Sequence, residues 1–304
     1  MTDAVPDILA IGEPLIEMVR LPQPIDARPA FVQGFGGDTS TAMIAAARQK
    51  ARTGYISAVG DDMFGQAMLA LWDREGVDRS GVRVRSGDPT GVCFIDPDPA
   101  GRRFTYARRG SAASLFTPED LPETLIRAAR ILHVSGISMA ISATMRAAVF
   151  RAVDVAREAG VRVSLDVNFR PALWPREAAS EAILRVAQRA AIIFPSDDEM
   201  GLLWGLTEPR DIADRFIDLG AEIVAVKQGA KGVYLAEPSK SLHIDAAPST
   251  PIDSAGAGDS FAGAFLAWLV ETSDPERAAR EAVKVAAGTV GGLGAVEPIP
   301  RRTG

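Results

Sequence analysis

The chain has 304 residues, 47% of them hydrophobic and 24% charged, and a net charge of −6, the proportions of a folded globular protein. That acidic balance argues against a nucleic-acid groove as the main surface, because such a groove needs Lys and Arg clustered against phosphates. One cysteine, Cys93, and two distant histidines, His133 and His243, exclude an internal disulfide and argue against a zinc site.

In chain order, residues 1–7 lack a basic segment running into an apolar core, so no secretory signal is expected. Residues 8–11 form a short apolar run that reads as a buried strand. Residues 16–36 hold short alternating segments with Gly and Pro turns. An Ala-rich helix is expected over 39–51, a strand over 54–59 and a helix over 63–75. Residues 80–109 again alternate without a long helix, and 92–95 with 104–106 read as a hairpin around Asp96-Pro-Asp-Pro-Ala-Gly101. Strands at 131–134, 161–166, 191–194 and 223–226 then alternate with helices at 143–159 and 177–190. A closing hairpin follows at 233–235 and 242–244, then helices at 258–271 and 275–290.

Strands alternating with helices define an α/β fold, a mostly parallel sheet flanked by helices on both faces. The two segments that break the pattern, 16–36 and 80–109, predict a small antiparallel β lid on a single domain spanning 1–304. No apolar run reaches the ~18 residues needed to cross a bilayer, so no membrane partner and a cytoplasmic location are expected. A lid with open strand edges also predicts a homo-oligomer formed through it.

The most informative segment is Asp253-Ser-Ala-Gly-Ala-Gly-Asp259, which runs into the helical pattern Ser260-Phe-Ala-Gly-Ala-Phe-Leu. Small residues let the backbone close on a ligand, and a helix start adds free N–H donors and the positive end of its dipole. Ala255, Gly256, Ala257 and Gly258 would therefore cradle an anion. A carboxylate beside such a site is repulsive unless it has a task. General base for an attacking hydroxyl is one task for Asp259, and capping the helix is another. Lys227-Gln-Gly229-Ala-Lys-Gly232 after a strand suits either a nucleotide loop or an ordinary tight turn. Cys93 in an apolar strand and His133 read as structural.

The segment 253–259 resembles the Asp-Thr-x-Gly-Ala-Gly-Asp signature of the ribokinase-like (PfkB) carbohydrate kinases, with Ser254 for Thr. Phe35-Gly36-Gly37-Asp38-Thr39 resembles the family's early glycine pair, and the likeness extends over nearly the whole chain. The resemblance implies a ribokinase-like fold, ATP and Mg2+ as cofactors, and Asp259 as base. It places Lys227, Gly229, Gly232, Asn168 and Ser196 about the nucleotide, and Glu199 near the water structure of Mg2+ and phosphate.

Within the family the chain looks most like the 2-keto-3-deoxygluconate kinases. Gly12-Glu-Pro-Leu-Ile, Tyr106-Ala-Arg108 and Leu165-Asp-Val-Asn168-Phe-Arg170-Pro-Ala-Leu-Trp174 carry that likeness. It implies a sugar acid lying against Gly36, Gly37 and Thr41, with Tyr106 on its hydroxyls. Arg108 and Arg170 would offer forked donors to its carboxylate. The expected reaction is phosphorylation of the C6 hydroxyl. Cys93 stands where these kinases often have Tyr, and Thr41 where many have Asn. A kinase for a neutral sugar such as fructose or ribose therefore stays open, as does a silent sugar- or nucleotide-binding regulator.

Overall fold

The computed structural model describes residues 5–98 and 101–303. The elements in chain order are β1 (Ile8–Ile11), β2 (Leu15–Arg20), β3 (Phe31–Gly36), α1 (Asp38–Arg48), β4 (Thr53–Gly60), α2 (Met63–Glu75), β5 (Val77–Arg85), β6 (Val92–Asp98) and β7 (Gly101–Ala107). The second half holds α3 (Glu123–Ala128), β8 (Ile131–Ser135), α4 (Gly136–Ala140), α5 (Ala143–Glu158), β9 (Arg162–Asp166), α6 (Arg176–Ala187), β10 (Ile192–Phe194), α7 (Asp197–Trp204) and α8 (Pro209–Asp218). It closes with β11 (Ile223–Lys227), β12 (Val233–Glu237), β13 (Lys240–Ile244), α9 (Ala257–Thr272) and α10 (Pro275–Thr289).

Nine strands form the main sheet in the order β13-β12-β11-β10-β9-β8-β1-β4-β5. Every neighbouring pair from β11 to β5 is parallel, and β12 and β13 close that end as antiparallel strands. Strands such as Ile-Leu-Ala-Ile in β1 are apolar at every position because helices cover both faces, and all four residues are buried. On one face α1, α2, α9 and α10 bury their apolar stripes; on the other α3 to α8 do so. Gly263 in α9 is needed for the first layer, since a side chain there would collide with the backbone of Ala42 in α1.

A second sheet of four strands has the order β3-β2-β6-β7. Two corrections to the sequence reading follow. Residues 80–85 are not lid, because Val77–Arg85 pairs in parallel with β4 and forms the edge of the main sheet. The lid is also not wholly antiparallel, since β2 and β6 run parallel. The lid is built by two excursions from the main sheet, β2–β3 and β6–β7, and their first strands β2 and β6 enter in the same direction.

The chain leaves β1 toward β4 on one side and later returns to β8 on the other. Between β1 and β8 the strand order reverses, and the crevice beyond the carboxyl ends of the strands is where open α/β sheets bind ligands. Residues Glu13, Ser135, Asp166, Asn168, Ser196 and Lys227 all lie at such ends. Among the described residues, no helix is long and apolar enough to cross a membrane.

Candidate active site

The segment 253–259 turns tightly into α9. Gly256 has φ 71° and caps the helix, and a side chain on it would strike the backbone of Ala295. Asp253 fastens the turn from below: its Oδ1 accepts from the Ala255 amide at 2.7 Å and its Oδ2 from the Gly294 amide at 2.9 Å. The Ala257 amide donates to the Ser254 carbonyl at 3.3 Å. Among the described residues the amides of Gly256, Gly258 and Asp259 have no backbone acceptor, so these three are the donors free for an anion. Ala255 and Ala257, named from the motif alone, shape the turn while their own N–H groups are engaged.

Asp259 sits in the first turn of α9. Burial is the main force raising its carboxyl well above the usual range; the carboxylates of Asp38 and Asp166 add to this, while Lys227 and Arg170 oppose it. Asn168 donates its Nδ2 to Asp259 Oδ1 at 3.3 Å. To do so Asn168 adopts φ 38°, a conformation that asparagine tolerates better than most side chains. Asn168 thus lies against Asp259.

Lys227 ends β11, and its Nζ donates to both oxygens of Asp166, at 2.9 and 2.8 Å. A side chain on Gly258 would come within 3.3 Å of that ammonium, so the cation lies directly under the anion-binding turn. Gly229 and Gly232 have φ of 55° and 106°, and a side chain on Gly232 would hit the backbone of β13. The turn between β11 and β12 requires glycine for its own geometry. Ser196 caps α7 without a side-chain hydrogen bond and bridges to Lys227 through the backbone.

Glu199, buried in the first turn of α7, accepts from Arg170 Nη1 at 2.7 Å through Oε1. Its Oε2 is buried without a hydrogen-bond partner among the described residues. Burial raises its carboxyl despite Lys227 and Arg170 nearby. Among the described residues no three acidic, His or Cys side chains group to hold a metal directly. An orphaned carboxylate oxygen that feels the charge of Lys227 suits Mg2+, which keeps several of its waters and takes one or two carboxylates with phosphate oxygens.

Across the crevice stands the lid. Tyr106 pairs across the sheet with Cys93, and the Arg108 guanidinium lies 5.1 Å from the Tyr106 ring centroid. Arg108 is ion-paired with Glu13, which is 1% exposed. Burial pushes the Cys93 thiol up to about 12, so it is inert as a nucleophile. Side chains on Gly36 and Gly37 would meet Glu17 and the Glu13 carbonyl, so the protein's own chain fills the space that a Cβ would need. Thr41 is buried in α1, and its hydroxyl has no partner among the described residues.

Sequence reasoning missed Asp38, Asp166 and the Glu13 pairing. Asp38 opens α1 with its side chain buried, and its carboxyl is raised chiefly by that burial. Ser135 and the Thr39 amide pull the other way, yet neither Asp38 oxygen makes a well-formed hydrogen bond among the described residues. Its signal was the Gly-Gly-Asp order at a helix start.

A helix start with free amides, a buried carboxylate beside it and a lid facing both are the parts of a small-molecule kinase, which positions a hydroxyl and neutralises a moving phosphoryl group. The chain belongs to the PfkB family: the description "pfkB family carbohydrate kinase" matches residues 5–302. It is a sugar kinase. A 2-dehydro-3-deoxygluconokinase of Thermoproteus tenax is 36% identical over 304 residues, covering 98% of this chain and 92% of the relative. Probable fructokinase-4 of Arabidopsis thaliana is 31% identical, covering 92% and 88%. The fold is ribokinase-like: a ribokinase II-type chain from E. coli, solved in complex with ATP and Mg2+, superposes with a TM-score of 0.89 at 27% identity, covering 97% and 96%.

Proposed function

We propose that this enzyme transfers the γ-phosphoryl group of ATP to the C6 hydroxyl of 2-keto-3-deoxygluconate or a close sugar acid, with Asp259 as general base. The observation that carries the proposal is the position of Asp259, buried in the first turn of α9 beside the unengaged amides of Gly256 and Gly258. A carboxyl whose affinity for protons is raised by burial is a stronger base than a free aspartate once ionised. Asn168 orients it through Oδ1, leaving Oδ2 for the acceptor hydroxyl. The amides and the Lys227 ammonium are fixed in advance where charge grows on the transferring group. Mg2+, when bound, neutralises phosphate charge, and Glu199 Oε2 would take one of its waters.

The acceptor's carboxylate would meet Arg108 and Arg170, with Tyr106 on its hydroxyls. A neutral-sugar kinase is the second reading, and one feature favours it: both arginines already face a protein carboxylate, Glu13 and Glu199. Two features support the acid. The Arg170 side chain is still half exposed, and the Thermoproteus relative carries that activity in its name. We also place a second copy of the chain on the lid, where Phe31 and Phe94 form an exposed edge-to-face pair.

A coupled assay of ADP release over 2-keto-3-deoxygluconate, fructose and ribose tests the acceptor. The sugar acid is expected to give the highest kcat/KM, and a larger value for fructose or ribose sinks that assignment. Asp259→Asn is expected to lower kcat by roughly 10²–10⁴-fold, and near-normal turnover in that variant removes Asp259 from the role of base.

A further inference from the structure

Glu13 is an expensive residue to bury. It is 1% exposed, and neither oxygen makes a well-formed hydrogen bond among the described residues; the Arg108 ion pair is its compensation. Its position explains why it is there. Glu13-Pro14 is the crossing from β1 into the lid strand β2, and Arg108 is the first residue after β7, where the chain leaves the lid. Gly91, at the entry to β6, has its Cβ direction 3.3 Å from Glu13 Oε1. A side chain on Gly37, where β3 returns to the body, would press on the Glu13 carbonyl. All four passages between body and lid therefore converge on Glu13, two of them on its backbone and two, those of Gly91 and Arg108, on its carboxylate.

Arg108 has more donors than Glu13 can use. A guanidinium presents five N–H groups in a fixed fork. The ion pair runs through Nη2, Nε makes no hydrogen bond among the described residues, and the side chain keeps 11% exposure.

We propose that Glu13 is a positioning residue of the acceptor site: it holds the Arg108 guanidinium by one edge at the root of the lid, so that another edge meets the carboxylate of an acidic acceptor. The inference rests on the sugar-acid reading above and deepens it, because it assigns the control of acid recognition to a residue that never touches the sugar.

The arrangement has a consequence for protons. While Glu13 is ionised the pair is neutral, and an incoming carboxylate gains little from Arg108. Once Glu13 is protonated, the arginine's charge is unbalanced and the anion is held more tightly. Burial pushes the Glu13 carboxyl up to about 7, with Asp38 of α1 acting in the same direction and Arg108 and Ser111 opposing it. The other groups feeling its charge are Tyr55 of β4, Cys93 of β6 and Tyr106 of β7. All three are raised above their ordinary values, so they stay protonated through neutrality. The sign follows: acceptor affinity rises as pH falls through neutrality, and binding of the acid takes up a proton.

The test is calorimetric binding of 2-keto-3-deoxygluconate, without ATP, to the wild type and Glu13→Gln at pH 6 and 8. In the wild type Kd should tighten roughly five- to ten-fold from pH 8 to pH 6, within the limit of tenfold per unit for one proton. In Glu13→Gln that dependence should largely vanish, with Kd at pH 8 close to the wild-type value at pH 6. An equal dependence in both proteins overturns the proposal, because Asp259 and Asp38 titrate in both. Should the variant fail to fold, wild-type binding in buffers of different ionisation enthalpy decides: about half a proton taken up near pH 7 is expected, and no uptake overturns the proposal. If the sugar acid does not bind but fructose does, the functional reading fails and the inference falls with it. If the acid binds without proton linkage, only the inference falls.

Discussion

Asp259 works among other acids. Asp38 and Asp166 raise its carboxyl by charge in addition to burial, and Lys227 and Arg170 counter them. A base must be ionised, so with Asp259 in the proposed role kcat/KM is expected to rise with pH along a limb whose midpoint lies above the ~3.9 of a free aspartate. Removing a like charge favours ionisation, so Asp38→Asn should move that limb to lower pH. Removing the cation disfavours it, so Lys227→Met should move it higher. A pH–rate profile of the three proteins checks both signs, and a limb indifferent to Asp38→Asn refutes the coupling. The sequence motif led directly to Asp259, because one short segment carries both the proposed base and the turn with unengaged amides. It did not lead to Asp38 or Asp166. These come from α1 and the end of β9, far apart in sequence, and only the sheet brings their fields together. The partners of Arg108 and Arg170 were hidden for the same reason: Glu13 and Glu199 reach them from the crossing after β1 and from α7.

At the scale of elements, most of the main sheet was legible because a strand buried on both faces is apolar without interruption, as in β1 and β8. β5 was misread for a physical reason. As an edge strand it exposes several residues and carries Asp78, Arg79, Arg83 and Arg85, the same mixture that a lid strand shows. The short helix α8 was missed because it offers barely three turns of periodicity. The glycines of the lid junction make a sharper case. Gly37 has φ 102°, and its Cβ direction is blocked by the Glu13 carbonyl and by Pro14, whereas Gly76 has φ 72° and open space around it. Gly76→Ala should therefore cost only the left-handed backbone, about 1 kcal/mol. Gly37→Ala adds a collision at the root of the lid and should cost clearly more, in the range of a few kcal/mol. Urea denaturation of both variants measures the difference, and equal losses would show that the junction yields without strain.

For the molecule as a whole, the body and the lid are stabilised in different ways. The body has two continuous cores and a buried Arg48–Glu75 pair at 2.9 Å, whose arginine also donates to the carbonyls of Val296 and Ile299 and so fastens the C-terminal segment. The lid strands carry Phe31 and Phe104 at 41% and 50% exposure. Exposed aromatic rings on an open sheet are costly in water, and two outcomes relieve that cost, covering by a ligand or covering by a second copy. Phe31 and Phe94 meet edge to face at 5.9 Å. By strand alternation they lie on the face opposite Tyr106, because Phe94 and its register partner Thr105 are each one residue removed from the Cys93–Tyr106 pair. A ligand in the crevice can cover the Tyr106 face but leaves this aromatic pair in water, so the second copy is the occupant that suits it. Sedimentation velocity is expected to show a dimer at micromolar concentration, and Phe94→Lys should convert it to a monomer by placing a charge in the apolar contact. The same variant keeps the body intact, because Phe94 lies on the lid and outside both cores. A wild-type chain that sediments as a monomer over this range would leave the lid as a substrate cover alone.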